Sequence, residues 1–394
     1  MPYSISVAKP ALGDASPKDA AAKSHHVKDK SGNTTHFKNP YDSAKKGFNQ
    51  LSIPFTIIKG QIDGSLRFPA PKPDEVLVPI QKPTFLTTRF ASKDLRTTWL
   101  GHASHYTEFP SGLRVLFDPV LEDRCSPFTF AGPKRYTRRA CAIADLPFVD
   151  AVIISHSHYD HLSVATIQEL KTRFPDAHFF VGLGLASWFH SSGVTNVTEM
   201  DWWEDVEVSV KLDKGDDDII TAKVSCLPAQ HSSSRYGLDT DRTLWCSWAV
   251  TSTGPPSSPI TKSLYFGGDT GYRSVPQVPE SEDDWGEKYA HLPRNPDFKE
   301  IGDLRGPFDV GLIPIGAYKP RYLFSWMHAD PFDAVEIFRE TKCKKALGIH
   351  WGTWALTSEP IMEPPEKLKE ALGRVGLEET GIFDVCDIGQ SRSF

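Results

Sequence analysis

The sequence predicts an α/β fold, a layered sandwich with helices on its outer faces. Two observations carry this prediction. The chain holds two successive series of short apolar strands, each accompanied by helical spacing, and the apolar core of several strands runs directly into a His or Asp. With 394 residues, 39% of them hydrophobic and 24% charged, there is enough apolar material for a sizeable core in one large domain or two.

In chain order, residues 1–48 are rich in Ala, Ser, Lys, Asn and Asp and poor in large apolar side chains, which predicts a disordered or loosely attached tail. An apolar stretch at 51–58 and the Pro-punctuated run PAPKPDEVLVPIQKP predict an extended segment over 49–95 packed on the main body. The 51–58 stretch reads either as part of that packing or as a lipid-facing element. The main domain spans 96–394. Residues 97–100, 105–109 and 114–117 read as strands of a meander, with Pro-Ser-Gly as its second turn. Residues 151–154 form a buried-strand run, 164–174 have helical spacing, and 178–181 read as the next strand. The second series comprises strands at 206–212, 221–227, 244–252, 263–266, 310–314 and 345–348, with helices at 331–342 and 364–375. The acidic stretch at 213–218 reads as a solvated hairpin turn.

Charge and composition narrow the function. Lys and Arg number 44 against 50 Asp and Glu, a net charge of −6, so no general basic field is offered to nucleic acid. The six cysteines contain no C-x-x-C pair and read as reduced thiols of an intracellular protein. No apolar run approaches the length of a membrane span, no apolar signal-peptide core is present, and residues 1–48 hold Lys and Asp but no Arg, unlike a transit peptide. The expected location is cytosolic or peripherally membrane-associated.

The chemistry sits in the histidines, of which there are 14. The strand at 151–154 ends in Ser155-His156-Ser157-His158-Tyr159-Asp160-His161, where a strand-end loop can turn three imidazoles and a carboxylate toward one point. Such a set suits zinc, and it exceeds what one catalytic zinc with an open position requires, so it predicts two adjacent metals. Three further strands end in His231, Asp269 and His350. A lone strand-end histidine is more often structural. With the first cluster, however, these residues give seven ligands, a complement for a dinuclear site: His156, His158, Asp160, His161, His231, Asp269 and His350.

The words around these ligands carry a resemblance. Thr98-Trp-Leu-Gly-His102-Ala, Phe117-Asp-Pro119, Ser155-His-Ser-His-Tyr-Asp-His-Leu162, Pro228-Ala-Gln-His231, Gly268-Asp-Thr-Gly-Tyr272, Ile315-Gly-Ala-Tyr318, His328-Ala-Asp-Pro331 and His350-Trp-Gly-Thr353 occur in order over roughly 95–358. Together they resemble N-acylphosphatidylethanolamine-hydrolysing phospholipase D, within the metallo-β-lactamase superfamily. The resemblance implies a four-layer αββα sandwich with two zinc ions between the loops of its sheets. One zinc would take His156, His158 and His231, the other Asp160, His161 and His350, with Asp269 and a hydroxide bridging them. Asp160 and His328 would be the catalytic residues, His328 near the substrate phosphate, and Tyr159 and Tyr318 would line the pocket. A homodimer is compatible with the resemblance.

Paired zinc ions lower the pKa of a shared water and neutralise phosphodiester oxygens. The expected reaction is attack of that hydroxide on phosphorus, releasing N-acylethanolamine and leaving phosphatidic acid. His328 would bond the phosphate or protonate the leaving group, unless it caps the helix beginning near Asp330. The aromatic run 322–327, with Phe324 and Trp326, reads as an acyl groove or membrane-dipping segment, or equally as core, and Lys319 and Arg321 beside it could meet anionic head groups. Departures from the family pattern are Ser232-Ser-Ser-Arg235, His105 in the meander, the insertion at 254–259 and the loop at 280–294. The competing readings are another hydrolase of this scaffold (a lactonase or different phosphodiesterase) and a non-catalytic lipid-binding protein.

Overall fold

The computed structural model describes the chain except residues 1–2, 11–12, 46–52, 65, 73–74, 76, 213–218, 257–258 and 280–281. The expected boundary near 48 and the acidic turn at 213–218 lie outside the described residues.

The first departure from expectation is at the N-terminus. Strand β1 (Tyr3–Ala8) pairs antiparallel with the strand at 205–212, from Tyr3 opposite Leu212 to Ala8 opposite Glu207. A hairpin follows, β2 (His26–Lys28) and β3 (Thr34–Phe37), and Phe37 is buried in the main core. The loose tail is therefore corrected. Its average composition hid a period-two strand in which Ile5 and Val7 pack on the core while Ser4 and Ser6 face out. The next segment is also less extended than expected, because it contains helix α1 (Ile53–Asp63).

The first sheet starts with the meander β4 (Arg96–Gly101), β5 (Ser104–Glu108) and β6 (Arg114–Phe117). It continues in parallel through β7 (Ala151–Ile153), β8 (His178–Gly182) and β9 (Val197–Met200), with α2 (Val164–Arg173) and α3 (Ala186–Ser191) in the crossovers. The second sheet runs β1, β10 (Asp205–Leu212), β11 (Ile219–Leu227), β12 (Ser247–Thr253) and β13 (Thr261–Phe266), antiparallel throughout. Beyond α4 (Asp297–Leu304) it adds β14 (Val310–Pro314) in parallel. Then come α5 (Arg321–Phe324), α6 (Pro331–Glu340), parallel β15 (Ala346–Ile349), α7 (Glu363–Arg374) and parallel β16 (Phe383–Asp384). The last strand, β17 (Ser391–Ser393), crosses to pair with β4 and makes the first sheet seven-stranded, against eight in the second.

Side-chain alternation settles how the layers stack. Val115, Phe117, Ala151, Ile153 and Phe180 face the other sheet, and the Phe117 and Phe266 rings meet across the interface at 4.9 Å. Their neighbours Leu116, Val152, Phe179 and Val181 point the other way, onto Ile167 and Leu170 of α2 and Phe189 of α3. Helices α4, α6 and α7 cover the second sheet, so the molecule is the αββα sandwich. Because both faces of the central strands are covered, they read in the sequence as unbroken apolar runs. Among the described residues no helix is long and apolar enough to cross a membrane.

Candidate metal centre

The parallel strands and β11 all deliver their C-terminal ends to one edge of the sandwich. There β7 leads into 155–161, β11 into His231, β13 into Asp269 and β15 into His350. The chain must turn sharply at that edge. Non-glycine residues with positive φ collect there: His102 (52°), Asp118 (37°), Ala317 (65°) and His350 (64°). Gly268, with φ of 57°, sits so close to Ser155 that a Cβ would stand 2.6 Å from the serine Cβ, which fixes glycine before Asp269.

The side chains converge on one carboxylate oxygen. Asp269 Oδ2 lies 2.9 Å from His350 Nε2, 3.2 Å from His161 Nε2, 3.6 Å from His231 Nε2, and 3.9 Å from both His156 Nε2 and His328 Nδ1. On one side of it His158 Nδ1 approaches His156 Nε2 at 2.8 Å and His231 Nε2 at 3.3 Å. On the other, Asp160 Oδ2 faces His161 Nε2 at 3.3 Å, His350 Nε2 at 3.4 Å and His102 Nε2 at 2.9 Å. The structure thus brings together all seven ligands read from the sequence, in the two groups expected, and adds His102 to the second.

A surrounding layer decides which nitrogen of three of the rings, His156, His161 and His231, faces inward. Ser155 Oγ donates its one proton to Asp118 Oδ2 at 2.6 Å, so its 2.8 Å contact with His156 Nδ1 must be a bond donated by the ring. That leaves the lone pair of His156 on Nε2. His161 donates from Nδ1 to Asp118 Oδ2 at 2.6 Å, and His231 from Nδ1 to the Met327 carbonyl at 2.8 Å, with the same consequence. The N-terminal segment joins this layer: Asn39 receives the His231 backbone N–H at 3.2 Å and donates to its carbonyl at 2.8 Å. The Ser43 hydroxyl donates to Gln230 Oε1 next to it.

These rings fit a metal. Among the described residues, the Nε2 atoms of His161 and His350, and Asp269 Oδ1, are buried with no hydrogen-bond partner. His156 and His231 aim inward lone pairs at the same space, an arrangement that suits a bound cation. Burial and the neighbouring histidines push His156 well below its usual value, and burial does the same to His231 despite Asp269, so both are neutral as ligands must be. For His350 burial lowers the pKa, but Asp269 and Asp160 outweigh it and raise it to about 9; His161 is driven well above its ordinary value by the same carboxylates and Asp118. Burial raises Asp160 and Asp269, yet the facing imidazoles win and hold both well below the usual carboxylate range.

The other expected site residues divide. His328 lies at the site, its ring 5.1 Å from His231 and 5.2 Å from His350, with Nδ1 buried and unpartnered. It does not cap α6, because Asp330 does so with its own side chain in a reciprocal capping box with Asp333. Tyr159 carries the Arg235 guanidinium over its ring at 4.1 Å. Phe324 is buried beside Leu66 and Leu323, its ring 6.4 Å from His328. Three expectations are corrected. Tyr318 is buried and donates its hydroxyl to Glu363 instead of lining an open pocket. Trp326 is buried, its indole N–H on the Leu323 carbonyl, so it belongs to the core. Arg321 lies among Asp284, Asp330 and Asp333 at 2.9, 3.4 and 2.8 Å, so its charge is matched by carboxylates inside the protein instead of being offered to a head group. His105 is fully buried against Thr97, and burial pushes it down to about 3, so it is a neutral core residue of β5. Asp118, at the end of β6, was not singled out as a site residue. The strand-end rule that found Asp269 applies to it equally.

Comparison with known proteins agrees with this geometry. A family model described as a beta-lactamase superfamily domain matches residues 113–351. The chain is 37% identical over 303 residues to N-acyl-phosphatidylethanolamine-hydrolyzing phospholipase D 1 of Caenorhabditis elegans, covering 75% of each chain. It is 36% identical to an uncharacterized protein of Mycobacterium tuberculosis over 75% of this chain and 68% of that one. It is 32% identical to the mitochondrial N-acyl-phosphatidylethanolamine-hydrolyzing phospholipase D of Saccharomyces cerevisiae, over 81% of this chain and 60% of the yeast protein. The chain belongs to the N-acylphosphatidylethanolamine-hydrolysing phospholipase D family of the metallo-β-lactamase superfamily and is a metal-dependent hydrolase.

Proposed function

We propose that this chain hydrolyses N-acylphosphatidylethanolamine to N-acylethanolamine and phosphatidic acid with two zinc ions. The observation that carries the reading is Asp269 Oδ2, within 3.9 Å of five imidazole nitrogens and flanked by two donor groups. His156, His158 and His231 would hold one ion and Asp160, His161 and His350 the other, with Asp269 shared. Bound there, the ions supply an activated water and neutralise the oxygens of a phosphodiester.

The chain's own residues do the rest. Asp118, directly and through Ser155, and the Met327 carbonyl hold His161, His156 and His231 each in one tautomer. Burial pushes His328 down to about 3, with His350 and His158 acting the same way, although Asp269 and Asp160 pull in the other direction. It is therefore a neutral imidazole with one N–H, suited to bond a phosphoryl oxygen and unsuited to store a proton for the leaving group at neutral pH. The substrate's acyl chains would meet α1, where Phe55 and Ile62 are 71% and 81% exposed at positions i and i+7. Ile57 of the same helix packs into the small cluster that holds Phe324, beside His328. That apolar face supports action at a membrane surface.

The test is hydrolysis of the lipid in oxygen-18 water by the zinc-loaded protein. Label is expected in phosphatidic acid, and Asp160→Asn is expected to lower turnover at least a hundredfold. Label confined to the ethanolamine alcohol rejects attack on phosphorus. Turnover of an acyl-homoserine lactone or a nitrophenyl phosphodiester, with none of the lipid, rejects the substrate.

A further inference from the structure

Arg135 is a buried cation for which the described residues provide no hydrogen-bond acceptor. The residue is 8% exposed, and its Nε, Nη1 and Nη2 all lack a hydrogen-bond partner. Its guanidinium lies over the Trp354 ring at 5.1 Å, and Nη2 would stand 3.7 Å from a Cβ on Gly101. Other buried arginines are treated differently. Arg114, fully buried, gives N–H groups to the carbonyls of Thr88, Arg89, Phe109 and Leu113, and Arg321 has its three carboxylates. A desolvated guanidinium without an acceptor is costly, so the observation points to a ligand that supplies one.

The space for such a ligand is present. Arg135 lines a cavity of about 470 Å³ that opens to solvent, together with Lys134 and Arg138. Among the described residues of that lining, Asp123 is the one carboxylate. Within the described lining, three cations against one anion give an excess of two positive charges, with Glu122 and Arg139 also acting on Arg135 from nearby. Burial, with Arg139 beside it, pushes Arg135 down to about 10, which still leaves it charged at neutral pH. The wall is anchored to the loop after His350: the Tyr136 N–H bonds the Thr353 carbonyl at 3.0 Å, and the Thr137 hydroxyl bonds that of Gly352 at 3.0 Å. Pro69, Tyr136 and Ala355 also border a narrow cleft that reaches His102 and His350, so the cavity adjoins the metal centre and remains separate from it.

We propose that the Arg135 cavity binds a phosphate monoester. An excess of two positive charges complements a dianion better than a carboxylate, and a guanidinium fork pairs two phosphoryl oxygens at once. The proposal does not depend on which ester the metal centre cleaves. A phosphate monoester reaches such a cavity either as a soluble ester or as a lipid head group in a bilayer.

The experiment titrates the metal-loaded full chain with glycerol 3-phosphate by isothermal calorimetry. In parallel it measures co-sedimentation with phosphatidylcholine vesicles that contain or lack phosphatidic acid. The metal centre offers phosphate a second place, so the informative quantity is the difference between variants. Arg135→Gln is expected to weaken one class of site at least tenfold and leave the other unchanged. Arg138→Gln, on the exposed rim, is expected to weaken the same class at least threefold and covers the case in which Arg135→Gln does not fold. Loss in both variants of the vesicle binding that depends on phosphatidic acid assigns the site to a head group. Loss of glycerol 3-phosphate binding alone assigns it to soluble esters. Isotherms and sedimentation that match the wild type in Arg138→Gln and in any folded Arg135→Gln overturn the proposal.

Discussion

Asp118 shows how much of the centre is set one bond away from the donors. Its carboxylate accepts from His161 Nδ1 and from Ser155 Oγ, and its other oxygen takes the Ser155 backbone N–H at 2.7 Å. Through Ser155 it also fixes the tautomer of His156, so one residue orients a ring in each donor group. Asp118→Asn keeps the shape but places an amide where both acceptor oxygens are in use. It is expected to lower metal affinity 10- to 100-fold, about 1.4–2.7 kcal/mol. Competition against a chromophoric chelator measures this, and an unchanged affinity removes Asp118 from the ligand-orienting layer. The ligands were legible because four donors within six residues leave little else for that segment to do. A single aromatic or basic residue carries no such constraint. Tyr318, Arg321 and Trp326 look the same in sequence whether they face a groove or the interior, and burial against Glu363, three carboxylates and the Leu323 carbonyl is a tertiary fact.

At the scale of elements, strands were readable where they are buried on both faces and unreadable where they are short or edge-placed. Strands β7, β8, β14 and β15 are continuous apolar runs. β1 has only Ile5 and Val7 to mark it, and β17 is Ser-Arg-Ser, a strand that exists because β4 offers it an edge. The N-terminal segment matters to the site as well as to the sheet. It is pinned where Asp201 accepts from Lys23 Nζ at 2.6 Å and meets His25 and His26 at 2.8 and 3.0 Å. From there it reaches Asn39, whose amide closes both backbone bonds of His231. Asn39→Ala leaves a buried backbone N–H and carbonyl without partners, a cost of about 1–3 kcal/mol concentrated on one ligand. The expected outcome is roughly tenfold faster loss of one metal on dialysis, with the circular dichroism of the fold retained. Metal retention equal to the wild type shows that this segment serves the sheet alone.

For the whole molecule, the centre is the place where the two sheets are tied. His156, His158, Asp160 and His161 follow a strand of the seven-stranded sheet, while His231, Asp269 and His350 follow strands of the eight-stranded one. Ions held by both groups bind the folded state and not the unfolded chain, so they stabilise the sandwich by mass action, about 4 kcal/mol at a thousandfold excess over Kd. Removing them does not leave bare repulsion. Without metal, the neighbouring carboxylates hold His350 at about 9 and His161 well above its usual value, whereas both rings must be neutral to act as ligands. Metal release at pH 7.5 is therefore expected to take up close to two protons, one on each ring, and metal binding to return them. Calorimetric chelation in two buffers of different ionisation heat reads that number directly. Because the folded pKa values are raised, the protonated pairs help the metal-free protein only below those values. Its thermal midpoint is thus expected to fall as pH rises from 7 to beyond 9, while the metal-loaded midpoint stays higher and flatter. A chelated protein that takes up no protons and melts where the loaded one does would mean that the ions do not sit between His161 and His350, and that the sandwich closes without them.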